Sequence, residues 1–244
     1  MNEKEVLEVF GRVGAVIADS HIVYTSWRHG TGYVNKDAVY PHTQETSELG
    51  KAIAEHFLRR GIEVVIAPAV GGVILSQWVA FHLNRFNATH EIKEVLAVYA
   101  ERDEQSVIKA DKDTTVNITV TLRKGDELVI KKPKFVIKRG YDKFVAGKNV
   151  LVVEDVLTTG GSAKKVAEAT RAIGGNIVGL GVLCNRGGIT PQDVADPPEL
   201  FALVNMNLDS WDEEECARVG PCSKGVPINT EVGKGREYLA RKGK

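Results

Sequence analysis

The stretch VLVVEDVLTTGGS, residues 150–162, decides how the rest of the chain is read. Its first half is a β-branched apolar run of the kind that forms a strand buried on both faces. It ends in two carboxylates, Glu154 and Asp155, and passes through Val156 and Leu157 into Thr158, Thr159, Gly160, Gly161 and Ser162. A strand–turn–helix passage rich in glycine and hydroxyls exposes backbone N–H groups at a helix N-terminus, where partial positive charge favours an anion such as phosphate. The acidic pair, at the carboxyl end of a central strand, stands where ligands bind in doubly wound sheets. Carboxylates accept from hydroxyl donors and from hydrated cations, so pair and turn together describe a sugar phosphate. The lysine of a GxxxxGK[ST] loop and the GxGxxG fingerprint are missing, which sets nucleoside triphosphates and dinucleotides aside.

Working outward, VVIA (64–67), VLAVYA (95–100) and IVGLGVLC (177–184) are further buried-strand patterns. Helical patterns separate them over 47–59, 72–83 and 162–173, the last with Ser162 as its expected N-cap. This alternation predicts an α/β fold, a doubly wound and mostly parallel sheet flanked by helices. Three segments are expected: an N-terminal helix and hood over 1–60, a core over 61–188, and a C-terminal extension over 189–244. One region breaks the rhythm. Within 103–134, Val116, Ile118, Val120 and Leu122 alternate with polar residues before an RKGD turn, which predicts a β-hairpin on a long excursion from the core.

With 244 residues and 43% apolar content, the chain can fill one enzyme-sized core. Lys+Arg and Asp+Glu balance at 32 each, which argues against a nucleic acid or an anionic membrane as partner. No apolar run approaches a membrane span, and MNEKEVLEVF is too charged for a secretory signal, so a cytoplasmic location is expected. Cys184, Cys216 and Cys222 are too few for a disulfide framework. Cys216 and Cys222 have no further Cys or His pair beside them in the sequence, and the expectation is ordinary thiols rather than a zinc site.

The thirteen-residue stretch closely resembles the phosphoribosyl pyrophosphate (PRPP) motif of the type I phosphoribosyltransferases. A second turn, Ala69, Val70, Gly71 and Gly72 between a strand and an apolar helix, is similar to the pyrophosphate loop of the orotate phosphoribosyltransferases. Other segments follow that family in order: YVNKD (33–37) in the hood, AERDE (100–104), IKRGY (137–141), CNRGG (184–188) and the tail EEECARVGPCSKGVP (213–227).

The resemblance implies a type I phosphoribosyltransferase fold and transfer of the phosphoribosyl group of PRPP to orotate, giving orotidine 5'-monophosphate and pyrophosphate. It implies Mg²⁺ held through PRPP rather than by direct protein ligands, and a homodimer. Glu154 and Asp155 would face the ribose, Val156 through Ser162 would wrap the 5-phosphate, and Ala69 to Gly72 with Arg102 would hold the pyrophosphate. Glu154, Asp155 and Arg102 are the implied catalytic residues. Lys138 and Arg139 stand at basic family positions on the PRPP side, while Thr158, Arg186 and Tyr33 would meet orotate. Three departures are visible: Ser26-Trp27 replaces a serine-glycine turn, Asn185 replaces an aspartate, and the excursion is unusually long. Two alternatives remain, the same chemistry on a purine base, or a PRPP-sensing regulator.

Overall fold

The computed structural model describes residues 1–24, 26–87, 93–103, 134–206 and 208–243. The expected hairpin lies outside the described residues, and so do Lys109, Lys112, Lys131 and Lys132, which the family resemblance offers as pyrophosphate contacts from a closing loop. Helix α1 (Glu3–Arg12) opens with a reciprocal capping box between Asn2 and Glu5. Four two-residue strands follow, β1 (Val16–Ile17), β2 (Ile22–Val23), β3 (His29–Gly30) and β4 (Tyr33–Val34), and then α2 (Thr43–Phe57). The core comprises β5 (Val64–Pro68), α3 (Val73–Asn87), β6 (Leu96–Arg102), β7 (Phe135–Val136), α4 (Asp142–Val145), β8 (Asn149–Leu157), α5 (Gly161–Ala172) and β9 (Asn176–Asn185). Strands β10 (Leu200–Asn205) and β11 (Ser210–Trp211) and helices α6 (Glu213–Val219) and α7 (Gly235–Arg241) complete it.

Six strands form one sheet in the order β10-β9-β8-β5-β6-β7, parallel except for the antiparallel edge strand β7. Strand periodicity explains why helices cover both faces. Val65, Ala67, Leu151 and Val153 point into one apolar cluster with residues of α1, α2 and α3. Their neighbours Val64, Ile66, Val150 and Val152 point into a second cluster with Ala163, Val166 and Ala167 of α5. Both faces are therefore dry, and β8, sixth to ninth positions included, is carried through the middle of the protein to the sheet's carboxyl edge. Strand β10 joins the same sheet although it lies beyond residue 188.

The excursion leaves and returns on paired strands: Glu101 faces Val136, and the Asp103 N–H donates to the Lys134 carbonyl at 2.9 Å.

The C-terminal segment is laid against the hood. Strand β11 pairs with β3, Asn229 N–H donates to the His21 carbonyl, and Lys234 N–H donates to the Val23 carbonyl. This packing corrects the sequence reading of Cys216 and Cys222 as thiols without histidine neighbours, because His21 and His29 fold directly onto them. Sequence separation hid the contact. Among the described residues no helix is long and apolar enough to cross a membrane.

Candidate active site

At the carboxyl end of β8 the two acidic side chains are almost fully buried, Glu154 at 5% and Asp155 at 6% exposure. The strand's own N–H groups turn back onto them: Asp155 N–H donates to Glu154 Oε1 at 3.1 Å, and Val156 N–H to Asp155 Oδ1 at 2.6 Å. Loss of solvation pushes the Glu154 carboxyl well above the usual carboxylate range, and the neighbouring Asp155 charge adds to the shift. Asp155 has a cationic partner that sequence reasoning missed, Lys36, with Nζ 3.0 Å from Oδ2. Burial works against the Lys36 ammonium, but the charge and hydrogen bond of Asp155 outweigh it and raise its pKa. Lys36 is the variable position of YVNKD, so its residue type carried no signal until the hood was folded over the sheet. Tyr40 lies nearby, its buried hydroxyl without a hydrogen-bond partner among the described residues. Burial, and then the charges of Asp155 and Glu154, raise its pKa.

The turn after β8 corrects one expectation. Ser162 sits inside the first turn of α5, and the N-cap is Gly160, at φ +69° with no side-chain cap. The first amides of the helix thus keep their donors free of a capping side chain, which suits an exogenous anion. A Cβ at Gly160 would lie 2.6 Å from Val194 Cγ1 in a conformation L-residues avoid. Gly160→Ala is expected to cost about 1–2 kcal/mol of stability from the left-handed backbone alone, read as a lowered urea midpoint.

The second turn faces the first. Val70 is 85% exposed, and the Ala69–Val70 peptide is cis. Gly71 is a steric necessity: a Cβ there would meet Asp155 Oδ2 at 2.1 Å and Lys36 Nζ at 2.9 Å. The two turns enclose a cleft of about 560 Å³ lined by Lys36, Pro68 through Gly71, Arg102, and Glu154 through Ala163. Residues from four separate segments of the chain meet there. Gly72 lies behind this lining, against Ala67 and the Val153 carbonyl.

The remaining basic positions divide. Arg102 lines the cleft, its guanidinium 5.9 Å from the Phe135 ring. Lys138 and Arg139 lie outside that lining and pair with Asp103 at 3.4 Å and Glu101 at 2.6 Å. Arg186 follows the last residue of β9, and both its N–H and that of Gly187 donate to the carbonyl of Leu157, a cleft residue. Its guanidinium lies 4.5 Å from the Tyr24 ring and 5.9 Å from that of Tyr33. Tyr24 was invisible in the sequence as a partner. Its hydroxyl donates to the Gly32 carbonyl at 2.6 Å, and burial raises its pKa against the opposing charge of Arg186. Trp27, at the position of the family's glycine, adopts φ +63°, and the Arg241 guanidinium lies 4.5 Å from its ring.

Residues 35–218 match the phosphoribosyl transferase domain family. An orotate phosphoribosyltransferase of Thermoanaerobacter sp. is 31% identical over 228 residues, 93% of this chain and 96% of that protein. The crystal structure of an orotate phosphoribosyltransferase from Aeropyrum pernix superposes with a TM-score of 0.55 at 19% identity, covering 82% of this chain and 93% of that one. An adenine phosphoribosyltransferase from Thermoanaerobacter pseudethanolicus superposes with a TM-score of 0.51 at 16% identity, over 72% of this chain and 90% of that one. The backbone is thus common to enzymes of different bases, and the sequence relationship is the narrower of the two signals. On that relationship the chain belongs to the phosphoribosyltransferases of type I, in the orotate phosphoribosyltransferase family.

Proposed function

We infer that the chain transfers the phosphoribosyl group of PRPP to orotate, releasing pyrophosphate and forming orotidine 5'-monophosphate in pyrimidine biosynthesis. The observation that carries this reading is the cleft itself, where a buried acidic pair stands between two glycine turns with Arg186 at its edge. In this reading the amides of Thr158 to Ser162 and the start of α5 take the 5-phosphate, since a helix N-terminus favours a dianion. Glu154 and Asp155 accept from the ribose hydroxyls and oppose the positive charge that develops on the sugar as the C1–O bond to pyrophosphate breaks. Ala69 to Gly72, Arg102 and Lys36 hold the departing anion, and Arg186 forks onto the orotate carboxylate. Lys138 and Arg139 are proposed as PRPP contacts only after exchanging their present acidic partners.

The cleft fits a magnesium-bearing diphosphate: the buried acidic pair lines it beside two glycine turns, and Gly71 lets Asp155 Oδ2 and Lys36 Nζ come together where a Cβ would collide with both. Glu154 and Asp155 would face the cation's hydration shell, and Mg²⁺ when bound offsets the charge on the leaving pyrophosphate. Gly71→Ala is expected to raise the PRPP dissociation constant at least tenfold by displacing Asp155 and Lys36, with the fold retained; calorimetric titration and circular dichroism together check it.

Purified protein given PRPP and Mg²⁺ with a panel of bases should release pyrophosphate with orotate and not with adenine, hypoxanthine or guanine. Release with a purine alone would overturn the assignment of base, and tight RNA binding in a gel shift without release would favour a PRPP-sensing regulator. We also propose a homodimer, which light scattering would read as twice the chain mass. A cytoplasmic location is supported by three free thiols.

A further inference from the structure

Away from the cleft, four side chains from both ends of the chain converge. His21 precedes β2, His29 lies in β3, Cys216 lies on α6 and Cys222 lies in the turn that follows it. His29 and Cys216 are at 0% exposure and His21 at 2%, with Cys222 half-buried. One ligand atom from each, two nitrogens and two sulfurs, lies within 4.8 Å of every other.

Burying two imidazoles and two thiols together costs free energy unless their polar atoms are satisfied. The His21 Nδ1–H donates to the Val226 carbonyl at 2.8 Å, which leaves the Nε2 lone pair aimed at the cluster. His29 presents Nδ1 to the same point, 2.7 Å from His21 Nε2. Its Nε2 is buried and has no hydrogen-bond partner among the described residues, so only the cluster side of this ring gains polar compensation. The Cys222 N–H donates to Cys216 Sγ at 3.3 Å, a bond that a thiolate accepts better than a thiol. Both cysteines are free rather than joined.

The spacing suits a tetrahedral ion. With metal–nitrogen bonds of about 2.0–2.1 Å and metal–sulfur bonds of about 2.3 Å, the nitrogen–sulfur edges of a tetrahedron are about 3.6 Å long. Three such edges measure 3.8, 3.6 and 3.5 Å here. The nitrogen–nitrogen edge of 2.7 Å is shorter than the ~3.3 Å such a tetrahedron needs. Binding would therefore spread the two rings by about half an ångström.

We propose that His21, His29, Cys216 and Cys222 form a structural zinc site that clips the C-terminal segment to the hood. Two sulfurs and two nitrogens in a closed tetrahedron favour Zn²⁺, and four protein ligands leave no open position for chemistry. The ion holds the hairpin that carries Tyr24, and Tyr24 faces Arg186. It thus acts on base recognition through position alone.

The full-length protein, purified under reducing conditions without chelator, should carry about one zinc per chain by elemental analysis. Replacing zinc with Co²⁺ should give intense visible bands of tetrahedral cobalt and near-ultraviolet thiolate-to-cobalt charge transfer. Cys222→Ser, which alters the most accessible ligand, should lose most of the bound metal, and chelation of the parent protein should lower its melting temperature by several degrees. The proposal fails if reduced parent protein reconstituted with Zn²⁺ alone stays substoichiometric, if Cys222→Ser binds zinc as tightly as the parent, or if anaerobically purified protein contains a Cys216–Cys222 disulfide.

Discussion

Arg186→Ala is expected to lower kcat/KM for orotate by about a thousandfold while leaving PRPP binding within a few-fold of the parent. Truncating one member of a desolvated, hydrogen-bonded charge pair costs about 2–5 kcal/mol, and each 1.36 kcal/mol is a factor of ten in rate. The guanidinium is already held against Tyr24 and Tyr33, so its orientation is set before any ligand arrives. Lysine should not rescue the loss, because an ammonium offers neither the planar fork nor the stacking on Tyr24. The loss should fall on orotate and not on PRPP, because Arg186 lies outside the residues that line the cleft. Steady-state kinetics would be paired with the PRPP-induced rise in melting temperature. Turnover of orotate by the alanine variant at more than a tenth of the parent rate would remove Arg186 from base recognition.

Glu154→Gln should separate activity from stability. Activity is expected to fall on the order of a hundredfold or more, because a neutral amide cannot oppose charge developing on the ribose. Stability should move the other way. The folded-state pKa of Glu154 lies above its unfolded value, owing first to desolvation and then to Asp155. A raised carboxyl pKa means that the folded protein binds a proton which the unfolded chain releases. Its contribution is complete below the ordinary carboxylate range and is lost as pH rises through the raised value. Glutamine mimics the neutral carboxyl and escapes that loss. The melting temperature of the ligand-free variant should therefore exceed the parent's at neutral and alkaline pH, with the gap closing near pH 4. An unchanged or lower melting temperature across that range would show that burying the ionised Glu154 carboxyl costs the folded state no stability.

Much of this architecture was legible because the core strands are buried on both faces and so read as uninterrupted apolar runs. Residues 64–67, 95–100, 150–155 and 177–184 all lie in or overlap strands of the central sheet. The hood strands β1 to β4 have two residues each, too short for periodicity to register. Helix ends were less legible than helix existence: α3 continues to Asn87 and α2 begins at Thr43, each several residues beyond its apolar stripe. At the N-terminus of α5 the serine suggested a side-chain cap, but the left-handed Gly160 ends the turn first.

In the cleft, Glu154, Asp155 and the glycine turns announced themselves as contiguous words of sequence. Lys36 and Tyr24 did not, because their partners lie more than a hundred residues away and only the hood's packing joins them. The same holds for His21 and His29, whose cysteine neighbours are hidden by a separation far outside the local spacings that mark zinc sites.

The junction at Asp103 and Lys134, already tied by a backbone hydrogen bond on paired strands, has a bearing on how such chains diverge. Two ends held side by side can be joined by a few residues or by many, since the entropy of closing a loop grows only with the logarithm of its length. Lineages can therefore lengthen, shorten or replace whatever is threaded between these points without renegotiating the sheet. The junction is a natural splice point, and an engineer could seat a foreign module there as readily as evolution has seated this excursion.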